Sequence, residues 1–309
     1  MNRLIVSGAS GLLGGNLVET LKGHFSILGS YRKNPVRFDG ADTVRLDILS
    51  ETEVERTIRD FSPKAIIHCA AETRVDFCED HPEETFRINE EGARVVASAA
   101  ARCGTKIVYI STDSVFDGER GGYREQDEPH PLNVYAKSKL AGEKAVAALC
   151  DNSLIVRTNI FGWNIQPRLT LAEWVVQSLS EGSRIPGFTD IIFSPLLVND
   201  LARLVGDMLN GELKGIYHVG ARDRCSKFDF ARALARLFGM SEEAVFPSRS
   251  EEVSFKAKRP RDTSLDVTRV TEALGAPMPA IAEGLERFKK LREEGFVERL
   301  RSSRMPEES

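Results

Sequence analysis

A tyrosine and a lysine four residues apart are the side chains of this sequence best suited to proton chemistry. Tyr135 and Lys139 lie in the stretch VYAKSKLAGE at 134–143, and on a helix the spacing of i and i+4 places both on one face. A free phenol has a pKa of about 10, which a neighbouring ammonium lowers. The pair predicts a phenol that exchanges a proton with a bound ligand, although such pairs also arise often by chance.

A glycine pattern near the N-terminus predicts a phosphate site. Gly8, Gly11 and Gly14 form G-x-x-G-x-x-G between a strand-like stretch and a helix-like stretch. Glycine allows a sharp turn and a close approach of a pyrophosphate, and the free N–H groups of the following helix face that ligand. The pattern indicates a dinucleotide site, with a purely structural turn as the alternative.

The residues after the second predicted strand bear on which dinucleotide would bind. An acidic residue there would bind the ribose hydroxyls of NAD, but this chain has Arg32 and Lys33 after Tyr31. A guanidinium clasps a phosphate and stacks on adenine. The sequence therefore favours NADP(H), with NAD(H) as the alternative, unless Arg32 and Lys33 are only solvated loop charges.

The elements that position these residues alternate between strands and helices. Short apolar runs predict strands at 3–7, 25–29, 65–69, 106–111, 153–158 and 216–219, with helix-like stretches between most of them. This alternation predicts an α/β fold with a doubly wound parallel sheet, the Rossmann arrangement. Thr112 follows the fourth strand at its carboxyl end, where such sheets hold their ligands, so we expect its hydroxyl to contact a reacting carbonyl.

The regular alternation weakens after residue 158. We expect a Rossmann domain over 1–160, with later returns near 196–220, and a smaller C-terminal substrate-binding lobe over 161–195 and 221–300. Helices are predicted in the lobe at 171–180, 228–238 and 281–301, with Ser226 as the N-cap of the second. The residues 301–309 are predicted to be a disordered polar tail.

The composition of the chain limits the kinds of partner that it is expected to bind. The 42 basic residues are interleaved with 46 acidic ones, which argues against a nucleic-acid surface. No apolar run approaches the roughly 20 residues needed to cross a bilayer, and the chain runs straight into a strand, so we expect no membrane association and a cytoplasmic protein. Five scattered cysteines without a C-x-x-C spacing predict no metal site. A small molecule is the expected partner.

Several longer stretches carry a family resemblance. They are STDSVFDG at 111–118, PLNVYAKSKLAGE at 131–143, RTNIFG at 157–162, the pair Arg259-Pro260, and a run from CAA at 69–71 through Val75-Asp76 to Asn89. In these stretches the chain resembles the extended short-chain dehydrogenase/reductases, most closely their dTDP-4-dehydrorhamnose reductase branch. The resemblance is firm over about the first 165 residues.

The resemblance implies a reaction and a set of site residues. Hydride would pass from the cofactor to C4 of a nucleotide-linked 4-keto-6-deoxy sugar while a tyrosine protonates the oxygen, and a homodimer is an option. The implied catalytic residues are Thr112, Tyr135 and Lys139. The implied cofactor-binding residues are Gly8, Ser10, Gly11, Leu12, Leu13, Gly14, Arg32, Asp47, Ile48, Ala70 and Ala71, together with Tyr135 and Lys139. The implied substrate-binding residues are Val75, Asp76, Thr112, Asn159 and Arg259, and Asn89 would support the site from an adjoining helix.

Departures from the family pattern leave alternatives open. Ser114 replaces a common aromatic residue, and Ile160 stands near the position of a common tryptophan, so the sugar contacts must differ; Trp163 either substitutes or packs in the lobe. A different sugar, or an epimerase or dehydratase reaction, is one alternative. Dehydration is disfavoured because Ser114, rather than a glutamate, follows Asp113. A cofactor-binding regulatory subunit without turnover is another, and the intact catalytic residues argue against it.

Overall fold

The computed structural model describes residues 2–306, and a parallel sheet forms its centre. In chain order the strands are β1 (Arg3–Ser7), β2 (Ser26–Tyr31), β3 (Asp42–Arg45), β4 (Ala65–His68), β5 (Lys106–Ile110), β6 (Ser153–Arg157), β7 (Ile160–Phe161), β8 (Ile185–Phe188), β9 (Ile192–Phe193), β10 (Leu196–Leu197), β11 (Gly215–His218), β12 (Cys225–Ser226) and β13 (Val245–Ser248). Seven of them pair in the order β11-β6-β5-β4-β1-β2-β3, all parallel. The strand order reverses at β1: β2 and β3 follow on one side of it, and the chain then crosses over to β4 on the other side. Such a reversal creates the crevice where these sheets bind ligands.

Helices cover both faces of this sheet. They are α1 (Leu12–Leu21), α2 (Glu51–Phe61), α3 (Val75–Asp80), α4 (Pro82–Phe86), α5 (Gly92–Arg102), α6 (Val134–Leu149), α7 (Leu171–Ser180), α8 (Val198–Asn210), α9 (Lys227–Leu237), α10 (Thr268–Leu274), α11 (Ile281–Glu293) and α12 (Phe296–Ser302). A π-helical turn, Arg87–Glu91, joins α4 to α5. Within residues 2–306, no helix combines the length and the apolar character required to cross a bilayer.

Strand periodicity explains why the sheet is buried on both sides. In β1, Leu4 and Val6 belong to one apolar cluster, whereas Ile5 belongs to a second cluster on the other face. The central strands β5 and β6 alternate in the same way, because successive side chains of a strand point to opposite faces. Continuous apolar runs are therefore what a doubly covered parallel sheet requires, and the predicted α/β fold is confirmed.

The predicted strands all occur, with shifts of one or two residues at their ends. The second runs over Ser26–Tyr31 rather than 25–29, so Arg32 follows it directly. The edge strand β3 was not predicted, because its side chains are exposed or only partly buried and it has no apolar run.

The C-terminal part forms small paired strands and helices. The strand β8 pairs with β13 in parallel and β9 pairs with β12 antiparallel. The helix predicted at 171–180 has those bounds, and Ser226 caps α9 by accepting a hydrogen bond from the Asp229 N–H. The division between a Rossmann domain and a substrate-binding lobe stays a prediction.

The predicted end of the chain needs two corrections. A single helix over 281–301 is wrong, because Gly295 adopts a φ of +71° and separates α11 from α12. The tail does not start at 301 either: α12 continues through Ser302, and Arg304 pairs with Val36 in an antiparallel bridge. Residues 307–309 of the predicted tail lie outside the described residues.

Candidate active site

The glycine turn lies where β1 passes into α1. Gly8 adopts a φ of +73°, a conformation that favours glycine, and its carbonyl accepts the Gly11 N–H at 2.9 Å. A Cβ on Gly8 would lie 2.8 Å from the Ala70 backbone nitrogen, and a Cβ on Gly14 would overlap the Gly8 carbonyl. The chain thus needs glycine at both positions, and it leaves a bare backbone cradle at the N-terminus of α1 that suits a pyrophosphate.

A cavity of about 400 Å³ opens beside this turn. Seven residues predicted to bind the cofactor line it: Gly8, Ser10, Gly11, Arg32, Ile48, Ala70 and Ala71. Lys33, which the sequence placed beside Arg32 as a second cation, also lines it, as does Arg74 of the loop after β4, which was not predicted. Arg74 pairs with Glu72 at 2.7 Å, and no pattern in the sequence marked either one.

A second cavity, of about 370 Å³, adjoins the first and shares Gly8, Gly11, Cys69 and Ala71 with it. Its lining contains most of the other predicted site residues: Leu12, Leu13, Gly14, Val75, Thr112, Tyr135, Lys139 and Asn159. The glycine turn and the proposed catalytic side chains therefore lie along one continuous cleft.

Two elements position the three predicted catalytic side chains. The helix α6 begins after Asn133, whose Oδ1 accepts the Ala136 N–H at 2.9 Å, so Tyr135 lies in its first turn and Lys139 one turn later. Thr112 follows β5 and caps a short 3₁₀ turn by accepting the Ser114 N–H at 3.2 Å. The carboxyl end of β5 and the start of α6 thereby bring the three groups to the same cavity.

Burial shapes the protonation of the tyrosine and lysine. It raises the pKa of Tyr135 to about 12, which corrects the lowered pKa predicted from the sequence; the neighbouring Thr112 side chain acts in the lowering direction. It lowers the pKa of Lys139 to about 8, against the negative charge of Glu143. The Lys139 ammonium donates to the Ile110 carbonyl at 2.7 Å and lies 4.1 Å from the centroid of the Tyr109 ring, so its position is fixed before any ligand binds.

A buried ion pair holds α6 against the sheet. Arg157 at the end of β6 donates to Glu143 at 2.7 Å, and both side chains are 3 % exposed. Ser111 also donates a hydrogen bond to Glu143. Removing one partner of such a pair leaves an uncompensated buried charge, so these contacts hold α6 in place against the ends of β5 and β6.

Asp113 lies beside Thr112 at the floor of the second cavity, and sequence reasoning did not assign it to the site. Its carboxylate accepts hydrogen bonds from four side chains: Thr112 at 3.2 Å, Ser114 at 3.2 Å, Asn159 at 2.9 Å and Thr263 at 2.5 Å. Burial raises the pKa of Asp113, and these hydrogen bonds act against that effect. Because four hydrogen-bond donors stabilise the charged carboxylate, Asp113 is a poor proton donor for a dehydration reaction.

Asn89 supports the site from the π-helical turn. Its side chain accepts the Glu72 N–H at 2.8 Å and donates to the Ser138 hydroxyl of α6 at 2.9 Å. Turns of this kind are frequent at functional sites. The side chain joins the loop that lines the first cavity to the catalytic helix, which agrees with the supporting role that the resemblance implied.

Three predicted site residues line neither cavity. Asp47 pairs with Arg32 at 3.5 Å and accepts the Leu49 N–H. Asp76 and Arg259 pair with each other at 3.0 Å. Their assigned roles remain predictions.

Trp163, for which a substrate contact and lobe packing were both open, packs in the core. It is 5 % exposed, stacks on Phe288 at 4.1 Å between ring centroids, and donates to the Phe288 carbonyl at 2.8 Å. Because the Trp163 ring lies in the core and its N–H already has a hydrogen-bond acceptor, it is not available to a ligand.

Comparisons with known proteins agree with this architecture. The chain matches the family described as the RmlD substrate binding domain over residues 1–293. A dTDP-4-dehydrorhamnose reductase from Bacillus anthracis, solved in complex with NADP, superposes with a TM-score of 0.84 at 34% identity, covering 94% of this chain and 99% of that one.

Two curated relatives differ in what their names describe. The probable low-salt glycan biosynthesis reductase Agl14 of Haloferax volcanii is 32% identical over 91% of this chain and 95% of its own length. Subunit beta of methionine adenosyltransferase 2 from Danio rerio is 31% identical over 88% of this chain and 85% of its own length. The family match spans nearly the whole sequence and the relatives match over most of their length, so the chain belongs to the RmlD substrate-binding-domain family.

Proposed function

We propose that this protein is an NADPH-dependent reductase that transfers hydride to the keto group of a nucleotide-linked 4-keto-6-deoxy sugar. The observation that carries the proposal is the continuous cleft that joins the glycine turn to Thr112, Tyr135 and Lys139. The similar Bacillus anthracis reductase bound to NADP and the Haloferax volcanii glycan reductase support it.

The backbone cradle fits a dinucleotide because Gly8 and Gly14 leave room that a Cβ would fill. When bound there, the reduced nicotinamide would supply the hydride. Tyr135 gives its proton to the carbonyl oxygen, so that the keto group gains one hydride at carbon and one proton at oxygen. Lys139 stabilises the phenolate that remains. The Thr112 hydroxyl, which donates to Asp113 in this structure, turns to donate to the same oxygen.

The deciding experiment follows NADPH oxidation with freshly prepared dTDP-4-keto-6-deoxy sugar, with the product identified by NMR. We expect stoichiometric conversion of the keto group to an alcohol. Absence of NADPH consumption with this sugar and with its UDP counterpart would reject the proposal.

A second candidate, a cofactor-binding regulatory subunit, has one specific observation in its favour, the 31% identity to subunit beta of methionine adenosyltransferase 2. It predicts no turnover and comigration with a methionine adenosyltransferase from the same organism. The three catalytic side chains in one cavity favour the reductase.

The cofactor preference is part of the proposal. Arg32 follows β2, lines the first cavity and is only loosely held, at 3.5 Å from Asp47. A charge-assisted contact to the 2′-phosphate stabilises binding by about 1.5–3 kcal/mol, so Arg32→Ala should weaken NADPH by about tenfold or more and leave NADH nearly unchanged. Arg56→Ala is the matched control, because Arg56 is an exposed residue of α2 that lines neither cavity. Equal weakening of both cofactors contradicts the assignment.

A further inference from the structure

Thr112 and Tyr135 lie close to the two ends of the connection between β5 and α6, residues 111–133. Apart from a 3₁₀ turn at Asp113–Val115, this connection is an irregular loop. Loops are more mobile than the elements that they connect. The relative position of the two side chains therefore depends on what packs against the loop.

A C-terminal segment, the brace (residues 258–266), packs along this connection. The Gly118 carbonyl accepts the Asp262 N–H at 3.0 Å. Further along, Tyr123 and Leu265 form a parallel bridge. These backbone contacts hold the middle of the connection in place.

The brace also reaches the end of the connection that carries Thr112. The Thr263 hydroxyl donates to Asp113 Oδ2 at 2.5 Å, and the Asn159 amide donates to the same oxygen at 2.9 Å. The other carboxylate oxygen, Oδ1, accepts hydrogen bonds from the hydroxyls of Thr112 and Ser114, each at 3.2 Å. Thr263 and Asn159 thus set the rotation of the carboxylate, which in turn holds the Thr112 hydroxyl.

At its other end, the brace contacts the residue that caps α6. The side chain of Asn133 is buried; its Oδ1 accepts the Ala136 N–H at 2.9 Å. Its Nδ2 donates to the Lys258 carbonyl at 2.9 Å. One atom of this side chain therefore begins the helix and the other attaches the helix to the brace. Because Tyr135 lies in the first turn of α6, its position depends on this contact.

We propose that the brace aligns Thr112 with Tyr135 for the reaction. Thr263 is the positioning residue at one end, where it acts on the Thr112 hydroxyl through Asp113. Asn133 is the positioning residue at the other end, where it acts on Tyr135 through the start of α6. The inference rests on the proposed function for the reaction that these side chains serve. Two groups that must meet one carbonyl oxygen need close alignment, since a misplacement of about 1 Å can cost about 10²-fold in rate.

The test at the first end compares single-turnover NADPH oxidation with dTDP-4-keto-6-deoxy sugar in the wild-type protein, Thr263→Val and Thr263→Ser. Valine has nearly the shape of threonine but no hydroxyl, so Thr263→Val should lower the rate constant about tenfold or more and leave the Kd for NADPH unchanged. Serine keeps the hydroxyl, so Thr263→Ser should retain most of the rate. A variant that is only less stable loses reaction amplitude, because fewer molecules react, and keeps its rate constant.

Thr57→Val is the matched control for the loss of one threonine hydroxyl. The Thr57 hydroxyl donates to the Glu53 carbonyl of α2 at 2.8 Å, and Thr57 lines neither cavity. Its removal should leave the rate constant as it is in the wild-type protein.

The test at the second end uses Asn133→Ser. Serine can still cap α6, but the Nδ2 donor to the Lys258 carbonyl is lost. The rate constant should fall about threefold or more, as expected for one hydrogen bond, with the Kd for NADPH unchanged. A wild-type rate constant in Thr263→Val or in Asn133→Ser overturns the proposed role of that residue.

A carboxyl NMR titration of Asp113 in the full chain needs no turnover. Burial raises the pKa of Asp113 and the hydrogen bond from Thr263 lowers it, so Asp113 should take up its proton at a higher pH in Thr263→Val than in the wild-type protein or Thr263→Ser. Tyr135 and Lys227 also interact with the charge of Asp113, and both are present in every variant.

The two measurements distinguish failure of the brace from failure of the proposed function. Wild-type turnover with an unchanged rate constant in Thr263→Val rejects the brace while the proposed function stands. If the wild-type protein does not oxidise NADPH, the proposed function fails, and the titration alone decides whether Thr263 acts on Asp113. An unchanged pKa of Asp113 in Thr263→Val then overturns that link.

Discussion

The phenol of Tyr135 keeps its proton at neutral pH, because burial raises its pKa to about 12. Reduction of a keto group consumes a proton at the oxygen, so a protonated phenol is the form that this direction needs. The oxidation of an alcohol would require the phenolate, which the buried position disfavours. The electrostatics of this one side chain thus agree with a reductase.

Replacing Tyr135 with phenylalanine should separate chemistry from binding. The variant retains the ring but has no proton to donate, and general acid catalysis contributes about 10²–10⁴-fold, so we expect kcat to fall by about that factor with NADPH affinity unchanged. Single-turnover NADPH oxidation and NADPH fluorescence titration measure the two quantities. Tyr217→Phe, at a tyrosine of β11 that lines neither cavity, serves as the control. Full activity of Tyr135→Phe would show that Tyr135 does not donate the proton.

The pH dependence of reduction should follow Lys139. Because its pKa is lowered to about 8, the ammonium is charged below that pH and neutral above it. The charge stabilises the phenolate left on Tyr135 after proton transfer, so the single-turnover rate should be high below about pH 8 and fall as pH rises further. Lys139→Met should be slow at every pH, since it has no charge to lose. A wild-type rate that rises through pH 8 contradicts this role.

At the scale of elements, the packing of α1 against the glycine turn determines the shape of the cofactor cradle. Gly14→Ala would place a methyl group against the Gly8 carbonyl, where there is no room for it. We expect a loss of about 1–3 kcal/mol in the free energy of unfolding and weaker NADPH binding, measured by urea unfolding and by titration. Gly23→Ala, where nothing lies within 4 Å of the new methyl group, should change stability by less than about 0.5 kcal/mol. Equal stability of the two variants would show that the turn tolerates a shift of α1.

The elements also show what the sequence could predict. The sequence predicted the correct bounds of buried strands such as β1 and of a well-capped helix such as α7, because apolar periodicity and capping are local signals. It did not predict the strand β3 or the break at Gly295. An exposed edge strand lacks an apolar run, and a glycine within a helical pattern is ambiguous. The motifs after β5 and at the start of α6 predicted that Thr112, Tyr135 and Lys139 lie close together, and all three line the second cavity.

Site features that depend on contacts distant in sequence were beyond the reach of these signals. One of the four hydrogen bonds to Asp113 is donated by Thr263, 150 residues away. Asn133, which caps α6, donates to the Lys258 carbonyl, 125 residues away. Neither pairing has a pattern in the sequence, because each is decided by how the C-terminal part packs on the sheet.

Across the whole molecule, residues near the C-terminus contact the loop that we propose binds the cofactor. The Arg37 N–H donates to the Ser303 carbonyl at 2.7 Å, and the Met305 N–H donates to the Pro35 carbonyl at 3.0 Å. Pro35 follows Arg32, Lys33 and Asn34, which line the first cavity. Residues near the C-terminus therefore hold in place the loop that we propose binds the 2′-phosphate.

Cutting the chain after Ser302 should weaken NADPH binding without removing any residue of the cleft. Both backbone hydrogen bonds to the loop are lost, and each contributes about 0.5–1.5 kcal/mol, so the Kd for NADPH should rise about threefold or more while NADH affinity changes less. Met305→Pro removes the N–H that donates to the Pro35 carbonyl and restricts the backbone of Arg304, so it should give part of the effect, whereas Met305→Ala keeps that N–H and should give none. If the shortened chain and Met305→Pro both bind NADPH as the wild-type protein does, the loop holds its shape without the C-terminal residues, and Arg32 is positioned by β2 and Asp47 alone.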